Sequence, residues 1–316
     1  MTLSEIETYT DVMPARRVFP PALVAAALVA AGSVRAEAQP NQRSMFVSVL
    51  DRSGAPVPDL GPADFIVRED NVAREVVAAT PATDPMQIEV LVDTSDASQP
   101  YIADLRRALP PFLERLVGSE PGRRNEVGLV TLGDRPTILA RPSVDAAVLK
   151  GAAERLFAQG GAGTYLLDGI VEVCRGFAAR AATRPVVVAI TTEGPEFSST
   201  HFADVLGRLR ETGAAFHVVV VGPAGADAGD EAQNRSVVLD RGPKVTGGRF
   251  AHILSGMALG STLTQLADEL THQYRVTFGR PPALIPPETT TVSAARPGVV
   301  VRGTLVVERD REGRPR

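Results

Sequence analysis

The chain has 316 residues, of which 44% are hydrophobic and 22% charged, with a formal net charge of −4. This composition is typical of a folded globular protein, and the length suits one sizeable α/β domain with a smaller companion. The small net charge and the 5% aromatic content lack the basic, aromatic footprint of a nucleic-acid binder, so nucleic acid is not an expected partner.

The N-terminus is typical of an export signal. Arg16-Arg17 precedes a continuous apolar run from Ala22 to Ala31. Small residues in Ala36-Glu37-Ala38 predict cleavage before Gln39, and therefore a secreted or periplasmic mature protein without a membrane span. The apolar run is shorter than the about 20 residues that cross a bilayer, although an uncleaved anchor stays an alternative. Translation starts at Met1 or at Met13.

Residues 39–82 predict a small all-β unit. A strand is predicted at Met45 to Leu50, because its residues favour strands and the following Asp51-Arg52-Ser53-Gly54 has the composition of a turn. Further short strands are predicted at Phe65 to Val67 and at Val76-Val77.

Residues 83–279 alternate apolar strands with amphipathic helices, which predicts a three-layer α/β domain with a largely parallel sheet. The predicted strands are Ile88 to Val92, Val127 to Leu132, Val186 to Ile190, Phe216 to Val221, Arg249 to Ile253 and Tyr274 to Phe278. The first four are nearly continuous apolar runs, as expected of strands buried on both faces. The sheet should therefore have about six strands.

Helical spacing of apolar residues predicts helices between these strands. The first, around Leu105 to Leu116, should be kinked or interrupted by Pro110 and Pro111. The second, around Leu166 to Phe177, contains the lone cysteine, Cys174, which is expected to be a buried core residue. Further helices are predicted at residues 202–209 and 263–270.

Residues 280–316 should contain a linker, a β segment and a charged tail. The stretch 279–287 is proline-rich and is predicted to be a linker. Strand character returns at Val299 to Val301 and at Thr304 to Val307, and these residues are expected to pair with the N-terminal β unit. The tail from Glu308 is charged and is predicted to be disordered.

Three polar segments should meet at the carboxyl edge of the sheet, where open α/β sheets bind ligands. Residues 93–98 (DTSDAS) and 191–194 (TTEG) directly follow predicted strands, and residues 160–166 (GGAGTYL) open a predicted helix. Together they offer two carboxylates and several hydroxyls, which are the oxygen ligands that suit Mg²⁺ or Mn²⁺.

These segments resemble the metal-ion-dependent adhesion site of von Willebrand factor type A (vWA) domains, and the likeness spans residues 86–278. The flanking stretches VSVLDRSGAPVPDLGPADFIVREDN and LADELTHQYRVTF resemble bacterial secreted "VWFA-related" proteins. The resemblance implies a protein-binding module that is not an enzyme. It also implies one Mg²⁺ or Mn²⁺ ion held by Asp93, Ser95, Thr164 and Glu193, with an acidic side chain of the partner protein completing the coordination.

Two positions depart from that pattern. Ala97 stands where the second serine hydroxyl is expected, and Glu193 stands where the pattern has aspartate. A degenerate site without metal is therefore an alternative, in which Asp93 and Ser95 cap the following helix. The chain would then be a metal-free scaffold that binds through its β unit.

A hydrolase of the cell envelope is the remaining alternative. The sequence contains neither a Gly-x-Ser-x-Gly nucleophile elbow nor a phosphate-binding loop. The four histidines have no metal-ligand spacing, and each is expected to be a surface or core residue; they are His201, His217, His252 and His272. The carboxylates Glu193 and Glu196 are close in sequence, but that spacing does not fix their separation in the fold.

Overall fold

The computed structural model describes residues 41–120, 124–223, 225, 229–281, 285 and 287–307. The predicted signal peptide (residues 1–38) and charged tail lie outside these ranges, and the predicted linker lies partly outside them. The described residues belong to one compact unit. None of the helices in these ranges is long and apolar enough to cross a membrane.

The described ranges contain strands and helices with the following bounds. The strands are β1 (Asn41–Leu50), β2 (Phe65–Glu69), β3 (Val72–Arg74), β4 (Val76–Pro81), β5 (Gln87–Val92), β6 (Glu126–Thr131), β7 (Thr137–Ser143), β8 (Pro185–Thr192), β9 (Ala215–Val221), β10 (Phe250–Ile253), β11 (Tyr274–Arg280), β12 (Thr290–Ala294) and β13 (Val300–Leu305). The helices are α1 (Ile102–Val117), α2 (Ala146–Ala153), α3 (Leu166–Ala179), α4 (Phe202–Thr212), α5 (Asp230–Thr246) and α6 (Leu259–Thr271).

The largest sheet lies between two layers of helices. Its strand order is β10-β9-β8-β5-β6-β7, and β7 at one edge runs antiparallel to β6 while the other strands are parallel. Helices α1, α2 and α6 pack on one face, and α3, α4 and α5 pack on the other. The central strands are apolar along their length because both of their faces are covered. The predicted three-layer α/β fold is confirmed.

Two smaller antiparallel sheets enclose a core of their own. One has the order β13-β1-β11-β4 and the other the order β12-β2-β3. Their core includes Met45, Phe65 and Phe278. Strand β13 pairs with β1, which places Leu305 opposite Met45. The predicted β unit formed from both flanks of the α/β domain is therefore confirmed.

One strand was predicted in the wrong sheet. The residues Tyr274 to Phe278 do form a strand, but β11 pairs with β1 and β4 in the antiparallel unit. Its burial alternates from residue to residue, as expected when one face of a strand packs on a core. The sixth strand of the large sheet is β7, which the sequence did not predict because only one of its seven residues is buried at the sheet edge.

The helical predictions need two corrections. Helix α1 continues through Pro110 and Pro111 and buries eight residues along its apolar face. The carbonyls that lose their donors there belong to the exposed residues Arg106 and Arg107, so the prolines interrupt hydrogen bonds on the outer side of the helix. Helix α5 was not predicted, because few of its residues are apolar and those few do not form a continuous stripe.

A buried carboxylate ties the β unit to the α/β domain. Glu269 on α6 is 1% exposed and accepts hydrogen bonds from Nε and Nη2 of Arg302 on β13, both at 2.8 Å. Arg249 lies 3.7 Å from the same carboxylate. Burial by itself raises the pKa of Glu269, but the hydrogen bonds from Arg302 and the neighbouring positive charges outweigh it and lower the pKa below 4.5.

We predict that Glu269→Gln lowers the free energy of unfolding by about 3 kcal/mol, because it leaves two arginines without their buried counter-charge. Urea denaturation at pH 7 measures the change. Glu172→Gln is the matched control, since Glu172 pairs with Arg175 on an exposed helical surface and should cost less than about 0.5 kcal/mol.

The stabilisation by the ion pair of Glu269 with Arg302 should depend on pH. Because the folded pKa of Glu269 lies below its ordinary value of 4.5, the carboxylate stabilises the fold at neutral pH, and this contribution is lost as the pH falls below about 4.5. The stability difference between the wild type and Glu269→Gln should therefore shrink as the pH falls from 5 to 3. A difference that stays constant over this range would contradict the ion-pair account.

Candidate functional site

The three predicted loops meet at the carboxyl edge of the large sheet. Strands β5 and β8 are parallel neighbours, so residues 93–98 and 193–197 leave the sheet side by side. The third loop, residues 157–165, hydrogen-bonds to both. The amide of Asp96 donates to the carbonyl of Ala162 at 3.0 Å, and the amide of Thr164 donates to the carbonyl of Pro195 at 2.8 Å. We call these three loops the rim.

Asp93 joins the loop after β5 to the end of β8 through its carboxylate. The residue is 1% exposed. Its Oδ1 accepts from the amide of Ser95 at 2.9 Å. Its Oδ2 accepts from the hydroxyl and amide of Thr192 at 2.6 and 3.0 Å and from the hydroxyl of Thr191 at 3.4 Å. Three of these four hydrogen bonds reach Oδ2, so the protein occupies that oxygen, whereas Oδ1 accepts a single hydrogen bond.

Ser95 and Thr164 are fully buried, and their hydroxyl oxygens have no hydrogen-bond partner. Ser95 precedes the 3-10 turn Asp96–Tyr101, but its side chain does not cap that turn. The expected alternative of simple helix capping therefore fails for Ser95, whereas Asp93 does accept from a backbone amide of the following loop. Unpartnered buried hydroxyls are uncommon in folded proteins, so these two are candidate ligand positions.

The position of the missing serine is tightly packed. A Cβ atom built on Gly194 would lie 2.5 Å from the methyl carbon of Ala97 and 3.7 Å from Oγ of Ser95. The loop after β8 therefore lies directly on the loop after β5, with space at residue 194 for glycine alone. Sequence reasoning identified Ala97 as a departure from the pattern but could not foresee this contact.

Glu193 is at the same edge of the sheet, but its carboxylate pairs with an arginine. Its Oε2 lies 3.7 Å from Nη1 of Arg235, a residue of α5 that the sequence analysis did not single out. Oε2 of Glu196 lies 3.8 Å from Nε of the same arginine. Burial raises the pKa of Glu196 to about 7, although the hydrogen bonds from Ser198 and the charge of Arg235 oppose that shift.

The predicted ligand set fits a resident divalent ion poorly. Ser95 and Thr164 each offer a free hydroxyl, but Oδ2 of Asp93 is occupied by hydrogen bonds, and the carboxylate of Glu193 is paired with Arg235. Mg²⁺ needs near-octahedral oxygen coordination and usually at least one carboxylate. Among the described residues, no group of three or more His, Cys, Asp or Glu side chains is placed to hold a metal ion.

Cys174 is a core residue, and His201 and His217 each accept a hydrogen bond from a backbone amide. Cys174 is fully buried, as expected, and burial raises its pKa to about 11. His217 is also fully buried, burial lowers its pKa to about 4, and its Nδ1 accepts from the amide of Arg249. His201 accepts from the amide of Ala203 at the start of α4.

Large apolar side chains are exposed on the loops around this edge. Phe157 is 63% exposed and Phe197 is 52% exposed. The ring of Phe197 leaves no space for a Cβ atom on Gly163 and stands edge-on to Tyr165, with 6.2 Å between ring centroids. Leu254, which directly follows β10, is 76% exposed. These three side chains are therefore the exposed apolar groups that a partner could contact near this edge.

No protein-family model and no curated protein matches the chain. The chain is similar to the solved structure of von Willebrand factor type A from Catenulispora acidiphila, with 13% identity, a TM-score of 0.46, and coverage of 85% of this chain and 72% of that chain. It is similar to BatB from Bacteroides thetaiotaomicron, with 13% identity, a TM-score of 0.44, and coverage of 58% and 98%. The vWF domain of the type V pili tip protein Mfa5 from Porphyromonas gingivalis gives 10% identity, a TM-score of 0.45, and coverage of 60% and 96%.

The class of fold follows from the architecture itself. A largely parallel six-stranded sheet lies between two helical layers, and the motif-bearing loops share its carboxyl edge. This is the arrangement that the resemblance to vWA domains implies, and the prediction of a three-layer α/β fold with a largely parallel sheet is confirmed.

We predict that Asp93→Ala lowers the free energy of unfolding by about 3 kcal/mol, because two buried amides and two threonine hydroxyls lose their common acceptor. The loss should be equal in EDTA and in Mg²⁺, as measured by urea denaturation. Asp134→Ala, at an exposed aspartate beyond the end of β6, is the control and should change stability by less than about 0.5 kcal/mol. A loss seen only in Mg²⁺ would mean that Asp93 acts through a bound ion.

Proposed function

We propose that this chain is a protein-binding module that contacts its partner through the rim and catalyses no reaction. The observation that carries the proposal is the pair of exposed aromatic side chains, Phe157 and Phe197, on loops whose polar groups are tied together beneath them. Aromatic residues on a rigid base are the usual anchors of protein interfaces, because they bury a large area at a small cost in side-chain entropy.

The loops beneath these side chains are well fixed. The amide of Phe197 donates to the carbonyl of Thr164 at 2.8 Å, and the amide of Gln159 donates to the carbonyl of Thr94 at 2.8 Å. Each aromatic residue therefore belongs to a segment that hydrogen-bonds to a neighbouring loop. Fixed loops favour tight binding, because little ordering entropy is lost when the partner docks.

The resemblance to vWA domains implies a partner carboxylate that completes a metal ion. The hydrogen bonds of Asp93 Oδ2 and the pairing of Glu193 with Arg235 do not favour such a contact here. The contact that the described residues support is instead apolar, with Phe197 near the centre of the rim and Leu254 toward the β10 edge of the sheet. We therefore favour the alternative without a metal ion, but with the rim rather than the β unit as the binding surface.

We predict that Phe197→Ser weakens partner binding by about 30-fold, corresponding to roughly 2 kcal/mol, and leaves the unfolding free energy within about 1 kcal/mol. A photo-crosslinking phenylalanine analogue at position 197 identifies the partner in cells, and calorimetry with the purified partner gives Kd. Val72→Ser is the control, since Val72 is 55% exposed on β3 of the β unit.

The same pair of positions separates the rim from the scaffold alternative. Crosslinking at position 197 but not at position 72 supports the rim. Crosslinking at position 72, together with an unchanged Kd for Phe197→Ser, would transfer the binding surface to the β unit.

We also propose that the protein acts outside the cytoplasm, on the basis of its signal-like N-terminus. The mature chain should begin at Gln39, which N-terminal sequencing of the purified native protein would establish. Ala38→Asp should block cleavage, because signal peptidase requires a small residue at that position, and should leave a larger precursor at the membrane. A native protein that still carries residues 13–38 and fractionates with the cytoplasm would contradict export.

A further inference from the structure

Arg235 holds the loop that follows β8 from within the protein. Its side chain is 7% exposed. Its Nη2 donates to the carbonyl of Thr192 and, at 3.2 Å, to the hydroxyl of Thr191. Its Nη1 donates to the carbonyl of Gly194 at 3.2 Å. Three oxygen atoms, two at the end of β8 and one in the loop after it, therefore converge on a single cation.

The same guanidinium is the counter-charge for the carboxylates of this edge. Oε2 of Glu193 and Oε2 of Glu196 lie 3.7 and 3.8 Å from it. Oε2 of Glu196 and Nε of Arg235 are both buried, and neither has a hydrogen-bond partner. An arginine has five N–H donors in a fixed planar fork, so it can serve several oxygens at once.

Arg235 is also connected to Asp93. The hydroxyl of Thr191 accepts from Nη2 of Arg235 and donates to Oδ2 of Asp93 at 3.4 Å. Thr192 contacts both groups, through its carbonyl to Arg235 and through its hydroxyl to Asp93. The chain of contacts from Arg235 through the two threonines to Asp93 links the loops after β8 and β5, which are two of the three parts of the rim.

A divalent ion at this edge would require groups that Arg235 already uses. Glu193 could serve as a metal ligand only if it left its ion pair with Arg235, and the ion would then stand near a guanidinium of like charge. The oxygen-rich surroundings of Arg235 are those that a hard cation prefers. Arg235 thus already supplies a positive charge at this edge, beside the carboxylate of Glu193.

We propose that the guanidinium of Arg235 supplies the positive charge that a divalent ion would otherwise supply at this edge, so that the rim is assembled without metal. This role of Arg235 in holding the loops together is independent of the partner that the rim binds. It can be tested with the purified chain alone.

The test compares the wild type with Arg235→Gln, which removes the charge, and with Arg208→Gln as the control at an exposed arginine that pairs with Glu211 on α4. Thermal unfolding is recorded in EDTA and in Mn²⁺, and Mn²⁺ binding is measured by electron paramagnetic resonance. The Tm of the wild type and of Arg208→Gln should differ by less than about 1 °C between the two conditions.

Arg235→Gln should lower Tm in EDTA by roughly 6–10 °C, because it leaves Glu193 and Glu196 without their counter-charge. It should also bind Mn²⁺, which should raise its Tm by about 5 °C. If the variant is unfolded in EDTA, recovery of folded protein on refolding with Mn²⁺ applies the same criterion.

Three results would overturn the proposal. The first is a wild type that binds Mn²⁺ and is stabilised by it. The second is a Tm for Arg235→Gln equal to that of Arg208→Gln. The third is a decrease in the Tm of Arg235→Gln that Mn²⁺ does not reverse, because replacing any buried arginine would destabilise the fold in that way.

Discussion

The buried carboxylate of Asp93 is the contact on which the rim depends. It stands at the end of the central strand β5 and accepts hydrogen bonds from its own loop and from Thr192 on the neighbouring strand β8. A buried charge is tolerated only when its hydrogen bonds are satisfied, so the carboxylate constrains both loops at once. Arg235 carries the opposite charge and is connected to Asp93 by hydrogen bonds through Thr191 and Thr192. The exposed aromatic residues lie on the loops near these contacts.

Most of the fold could be predicted because burial on both faces leaves a clear mark on a strand. Continuous apolar runs identified β5, β6, β8 and β9, and these strands form the centre of the large sheet. The edge strand β7 and the polar helix α5 carry too few buried apolar residues to give such a signal. Strand β11 was recognised but assigned to the wrong sheet, because strand pairing depends on distant residues and local pattern does not specify it.

The candidate site was partly predictable for a related reason. Asp93, Ser95 and Thr164 lie in short motifs that directly follow a strand or open a helix, and parallel strands bring such loops to one edge. The direction of the Glu193 side chain could not be predicted, since it depends on Arg235 in a helix that has no motif and little apolar periodicity. The position of Phe197 could not be predicted either, since it depends on the contact of its ring with Gly163 in the folded loops.

The central claim is that Asp93, the two threonines and Arg235 hold the rim together without a metal ion. A crystal structure of the wild-type chain grown in Mn²⁺, with anomalous scattering recorded for manganese, tests this claim most directly. The account predicts no manganese peak at the rim and an Arg235 guanidinium hydrogen-bonded to the carbonyls of Thr192 and Gly194. A manganese ion bound by Ser95 and Thr164, with Glu193 turned away from Arg235, would contradict it.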